Sequence, residues 1–156
     1  MKLSTREDIE APVAFVFAEL SDFDGFERGA MRRGARVKRL DRLAVPGAGM
    51  SWALEFRWRG RDRKMVTEMT AHDPPQALAF VAESAGFELV LGMGLAEMSR
   101  RRTRLAVELE VKPRTLAARI MLQSLRLGKA RLTRRFASRV RMVAEEIEAR
   151  HLKRLG

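Results

Sequence analysis

Few residues in this 156-residue chain are placed to do covalent chemistry. It has no Cys and no Tyr, and only two His, His72 and His151. His72 lies beside Pro74-Pro75 and His151 close to the last residue, so nothing in the sequence brings them together as an acid–base pair. Glu97 is the acid that stands out. Counting by twos through Phe87, Leu89, Leu91, Met93 and Leu95, it extends an apolar strand face. A carboxyl group enclosed by apolar side chains has a raised pKa and can move protons near neutral pH. The competing reading places Glu97 in water at its strand's end, beside Ser99 and Arg100. Thr67, between Met65 and Met69, offers a hydroxyl to a ligand, or simply suits a strand through its β-branch. No His, Asp or Glu residues have the spacing of a metal site. Gly92-Met93-Gly94 lacks the further glycine and the Lys-Ser/Thr pair of a phosphate loop. We expect no metal and no cofactor, and no catalytic residue beyond Glu97 as a weak candidate. Whether the protein is an enzyme stays open at this level.

Apolar residues are more numerous and better patterned. Trp52, Leu54, Phe56 and Trp58 alternate with Ala53, Glu55, Arg57 and Arg59, the period of a half-buried strand. After a turn at 60–62, Met65, Thr67, Met69 and Ala71 share one face of a returning strand. Residues 77–83 read as a short strand around Phe80 and Val81. Residues 87–98 form a long one in which Gly92 and Gly94 signal a bend or bulge. Residues 103–111 turn Leu105, Val107 and Leu109 inward, and Pro113 ends the sheet. Earlier in the chain, residues 3–9 form a first strand and residues 36–43 a basic one. Between these two, Val13, Val16, Phe17 and Leu20 make one face of a helix over 13–20. A second short helix, capped by Ser21 or Asp22, runs to about Met31 with Phe23 and Phe26 on its inner side. Beyond Pro113 the chain is helical. Ala118, Leu122, Leu125, Leu132, Phe136, Val140, Val143 and Ile147 form its stripe, and Gly128 marks a kink or break.

These elements predict one α+β domain over residues 1–156. A curved antiparallel sheet of about seven strands wraps around a long C-terminal helix, with two short helices between the first and second strands. The helix must cover the sheet, because one sheet cannot bury its apolar face alone. Trp52, Phe56, Met65, Thr67, Met69, Phe80, Leu89, Leu91 and Met93 from the sheet, with Leu122 from the helix, are expected to line an apolar cavity. For any one of them, ordinary core packing explains the side chain equally well.

Ile9-Glu10-Ala11-Pro12, followed by Val16-Phe17, Leu20 and Asp22, resembles the first strand, "AP" turn and first helix of the START-like, or SRPBCC, superfamily. By element order the resemblance extends over nearly the whole chain. It implies a helix-grip fold and a small hydrophobic ligand, such as a lipid, quinone or polyketide-like molecule, bound or carried between sheet and helix. Some members are cyclases or dehydratases, which is the alternative it implies here. The superfamily has no shared catalytic motif, so no catalytic residue is carried over, and the missing phenols count against the enzyme reading.

Charge adds a partner question. The net charge is +11, with 25 Arg against 6 Lys. Residues 1–27 hold seven acids and two bases, whereas residues 112–143 hold ten bases and no acid. Arg126, Lys129, Arg131, Arg134 and Arg135, with Leu116, Met121 and Leu127 beside them, are expected to meet an anionic membrane surface. A solvated face is the plainer alternative. An RNA- or ribosome-binding module is a third reading, weakened by the lack of exposed aromatic platforms near these bases. No segment approaches the roughly 20 apolar residues of a membrane span, and the first ten residues lack a secretory apolar core. The expected location is the cytoplasm, and the oligomeric state is left open.

Overall fold

The structure, a computed structural model, describes residues 1–156. Seven strands form one antiparallel sheet: β1 (Lys2–Ile9), β2 (Arg36–Arg39), β3 (Ser51–Trp58), β4 (Arg61–Asp73), β5 (Ala77–Ser84), β6 (Phe87–Ser99) and β7 (Arg102–Pro113). Helices α1 (Val13–Leu20) and α2 (Phe23–Arg32) separate β1 from β2, and α3 (Leu116–Leu127) and α4 (Lys129–Leu155) follow the sheet. The spatial order is β1-β7-β6-β5-β4-β3-β2. Strands β2 to β7 are therefore a meander, and β1 returns to pair with β7. This is the helix-grip arrangement the sequence predicts.

Local chemistry explains most element ends. Pro12 precedes the first helical residue of α1, where a missing N–H does no harm. Asp22 caps α2 by accepting from the Gly25 N–H at 3.1 Å, and Thr115 caps α3 by accepting from the Ala118 N–H at 3.0 Å. The β3–β4 and β5–β6 hairpins close through Arg59-Gly60 and Ala85-Gly86, each pair at positive φ, which suits the right-handed twist of the strands.

The core forms where α1 and α4 meet the concave side of the sheet. Ile9, Val16, Met69, Leu78, Leu105 and Ile147 are at its centre, each at most 2% exposed. Thr103 is also fully buried; its Oγ1 donates to the Ala11 carbonyl at 2.8 Å, fixing the turn between β1 and α1. Helix α4 has 27 residues, about 40 Å at 1.5 Å per residue, and packs along β1. Ion pairs Arg141–Glu7 at 3.2 Å and Arg150–Glu19 at 3.0 Å tie it to β1 and α1.

Three details differ from the expectations. Strand β2 stops at Arg39 instead of reaching Leu43, because Asp41 takes over the local hydrogen bonding. It accepts from the Leu43 N–H at 3.0 Å, the Ser51 N–H at 2.8 Å and Arg39 Nη2 at 2.9 Å. The ladder runs through Gly92 and Gly94 with no change of register; the bulges fall between Met69 and Ala71 and between Glu97 and Ser99. The first of these takes Ala71 off the face shared by Met65, Thr67 and Met69. Gly128 is a break, as the sequence allowed: it ends one helix and starts another, so the terminal helix is two segments.

Candidate functional site

Between the concave sheet, α2 and α4 lies a cavity of about 460 Å³. Seventeen residues line it, and fifteen of them are hydrophobic. Strands β3 to β6 supply Trp52, Leu54, Met65, Thr67, Phe80, Ala82, Leu89, Leu91 and Met93 as alternate residues of one pleated face. Their register sets them side by side: Trp52 opposite Thr67, Leu54 opposite Met65, Thr67 opposite Ala82 and Phe80 opposite Leu91. Helix α2 contributes Phe23, Phe26, Glu27 and Ala30, an i, i+3, i+4, i+7 stripe, and α4 contributes Val143.

The two polar lining residues are Thr67 and Glu27. Glu27 Oε1 accepts the indole N–H of Trp52 at 2.6 Å. Arg39 lies 5.7 Å from the centre of the same indole ring, within cation–π range, and Asp41 holds the guanidinium from its far side. The Arg39 guanidinium, then the Ser51 and Leu43 N–H groups, hold the Asp41 carboxyl far below the usual carboxylate range, against the opposing effect of desolvation. Bonding to Asp41 raises Arg39 further, with smaller help from the nearby charges of Glu27 and Asp24. Phe23, Trp52 and Phe80 meet at ring-centroid distances of 5.7 to 6.4 Å, so the aromatic wall is packed before any ligand enters. The lining has no His, Lys or Arg, and acid–base work inside the cavity would fall to Glu27 alone.

Seven of the ten sequence-derived wall residues meet here: Trp52, Met65, Thr67, Phe80, Leu89, Leu91 and Met93. Three do not. Phe56 faces Arg63 across a hairpin that extends beyond the last β4–β5 pair, Val66 with Glu83, and so passes the end of the cavity. Met69 is fully buried in the core. Leu122 is buried under α3, outside the main core cluster, because the break at Gly128 leaves α4 and not α3 over the cavity. Glu97 is exposed near the end of β6, next to the bulge at Ser99, and does not line the cavity. Arg126, Lys129, Arg131, Arg134 and Arg135 do not line it either; they lie on α3 and early α4. Glu27 is the functional candidate the sequence reading missed; its signal was a single acid on the stripe of Phe23, Phe26 and Ala30. No three acidic or His side chains converge as a metal site would require, and no helix is long and apolar enough to cross a membrane.

An open antiparallel sheet gripping a terminal helix over an apolar cavity is the START-like helix-grip fold, and comparison with solved structures agrees. A protein from Thermus thermophilus superposes with a TM-score of 0.69 at 15% identity, covering 96% of this chain and 98% of its own. The Zhui aromatase/cyclase from a Streptomyces species gives 0.67 at 16% identity, covering 96% and 94%. A START superfamily protein from Mycobacterium smegmatis gives 0.60 at 16%, covering 91% and 98%. No protein-family model and no curated protein sequence matches the chain.

Proposed function

We propose that this protein binds a small hydrophobic molecule in the cavity and collects or delivers it at an anionic membrane surface. The cavity carries the first part: about 460 Å³ of space with fifteen hydrophobic residues among its seventeen, in a fold shared with an aromatase/cyclase and a START superfamily protein. Apolar surface removed from water favours binding by roughly 25 cal/mol per Å². Glu27 and Thr67 offer oxygen acceptors at the cavity wall, which suits a ligand carrying a hydroxyl or amine donor near that end.

The basic segment supports the second part. Three of the ten bases between residues 112 and 143 are neutralised within the chain: Lys112 by Glu110, Arg114 by Glu88 and Arg141 by Glu7. The other seven, Arg119, Arg126, Lys129, Arg131, Arg134, Arg135 and Arg139, have no ion-pair partner. Beside them α3 exposes Leu116 at 75%, Ile120 at 60% and Leu127 at 92%, three residues within about 40° of one another around the helix. An apolar stripe flanked by unpaired arginines is the pattern of a helix lying in a lipid interface.

The cavity is tested by titrating the purified protein with N-phenyl-1-naphthylamine, a neutral fluorescent probe. The intact protein should bind it at micromolar concentration. Ala82→Phe, which fills the space from the wall, should weaken binding at least about tenfold, since each displaced methylene contact is worth about 0.8 kcal/mol. Equal affinity in the folded variant would place the probe elsewhere and remove this reading.

A further inference from the structure

A second cleft lies on the far side of α2, between it and α4. It has a volume of about 700 Å³, and its walls include Leu20, Phe26, Ala30 and Val143, all four of which also line the apolar cavity. The two spaces are thus separated by one layer of side chains. Phe26, part of that layer, is 52% exposed, an unusual state for a large aromatic in a cavity wall. The cleft itself is cationic. Arg28, Arg32, Arg33, Arg139 and Arg150 border it, against the acids Glu19, Asp22 and Glu146. Arg150 is spent on Glu19 at 3.0 Å, and Asp22 is engaged with the Gly25 N–H as the α2 cap. Arg28, Arg32, Arg33 and Arg139 have no carboxylate within ion-pair distance, which leaves four free guanidinium groups around one remaining acid. Gly29 opens this side of α2. A Cβ there would meet nothing nearer than the end of Arg32, at 3.9 Å, so packing does not require the glycine even though glycine is unfavourable in mid-helix. Glu27 projects from the opposite side of the helix, toward Trp52, and does not enter the cleft.

From this geometry we propose that the cleft is a headgroup site, and that the ligand is an anionic amphiphile. Its apolar body occupies the cavity, its phosphate or similar oxyanion sits among Arg28, Arg32 and Arg139, and it passes the layer at Phe26. Guanidinium groups bind oxyanions through paired, charge-assisted hydrogen bonds, and here they stand at the exit of a space with no cation of its own. The assignment rests on the cavity reading and specifies which class of hydrophobic molecule it takes.

Decyl phosphate, 1-decanol and inorganic phosphate, each at concentrations below micelle formation, separate the possibilities by calorimetry. The intact protein should bind decyl phosphate about tenfold or more tighter than decanol, the worth of one exposed charge-assisted hydrogen bond. The triple variant R28Q/R32Q/R139Q, altered only at surface positions, should lose that preference and keep its affinity for decanol. Equal binding of decanol and decyl phosphate by the intact protein would overturn the headgroup site and leave the cavity standing. Inorganic phosphate binding as tightly as decyl phosphate would make the cleft a free-phosphate site uncoupled from the cavity, which also overturns the proposal. Failure of both amphiphiles to bind would remove the cavity reading, and this one with it.

Discussion

Besides packing on Phe23 and Phe80, Trp52 is held by two polar contacts. Arg39 covers its ring, and Glu27 takes its indole proton in a hydrogen bond. Behind Arg39 stands Asp41, 8% exposed, so a carboxyl group outside the cavity fixes one wall of it. Because its folded pKa lies below the unfolded value of 3.8, Asp41 adds stability above about pH 4, lost as acid protonates it. Asp41→Asn should therefore be less stable at neutral pH, with a difference from the parent that shrinks below about pH 4, as urea unfolding across that range would show. A constant difference would mean that the ionised form contributes nothing. Thr103 is the second such residue. Thr103→Val keeps the shape but leaves the buried Ala11 carbonyl without its side-chain donor, for a loss of about 1 to 3 kcal/mol, read from the denaturant midpoint at unchanged slope. Alternation in the sequence assigned Trp52, Met65, Thr67 and Phe80 to the correct face. It could not say how far along a strand the cover extends, because that depends on register with the next strand. Phe56 is on the expected face and still misses the cavity for this reason. Glu27 went unread because an acid on an apolar stripe has meaning only once the indole opposite it is known.

Elements show the same division. Periodicity and turn residues located every strand and both short helices, and they marked Gly128. They did not show that α3 and α4 have separate tasks. Helix α4 covers the core and closes the cavity through Val143, whereas α3 buries Ala118 and Leu122 and turns a second apolar stripe outward. The sequence placed Leu116, Met121 and Leu127 beside the free bases; the structure adds Ile120 to that exposed stripe and separates it from the buried face of Ala118 and Leu122. Replacing Leu116, Ile120 and Leu127 together by Glu should abolish sedimentation with vesicles containing phosphatidylserine, since each lost apolar insertion is worth about 1.5 to 3 kcal/mol. Reversing Arg131, Arg134 and Arg135 to Glu should weaken binding by about 1 kcal/mol per lost base, before repulsion. Undiminished vesicle binding in both variants would remove the docking surface. Salt-steep binding to RNA without vesicle binding would assign it to nucleic acid.

At the scale of the molecule, charge and topology point the same way. The net charge of +11 is not spread evenly, because acids near the N-terminus are used to fasten α4 while the bases of α3 and early α4 are left free. The sheet protects its own edges. Strand β2 is four residues long and carries Arg36, Lys38 and Arg39, which discourages pairing with another chain, and β1 is flanked by α4. That β1 is made well before β7, its only partner in the sheet, has a consequence for synthesis on the ribosome. Lys2 finds Glu110, and the backbone N–H of Glu10 finds the Glu148 carboxylate, only after most of the chain has emerged. Until α4 follows, the concave face of the meander is an unprotected apolar surface. Contacts so distant in sequence are slow to form, so the nascent protein passes through a long interval in which chaperone capture competes with aggregation.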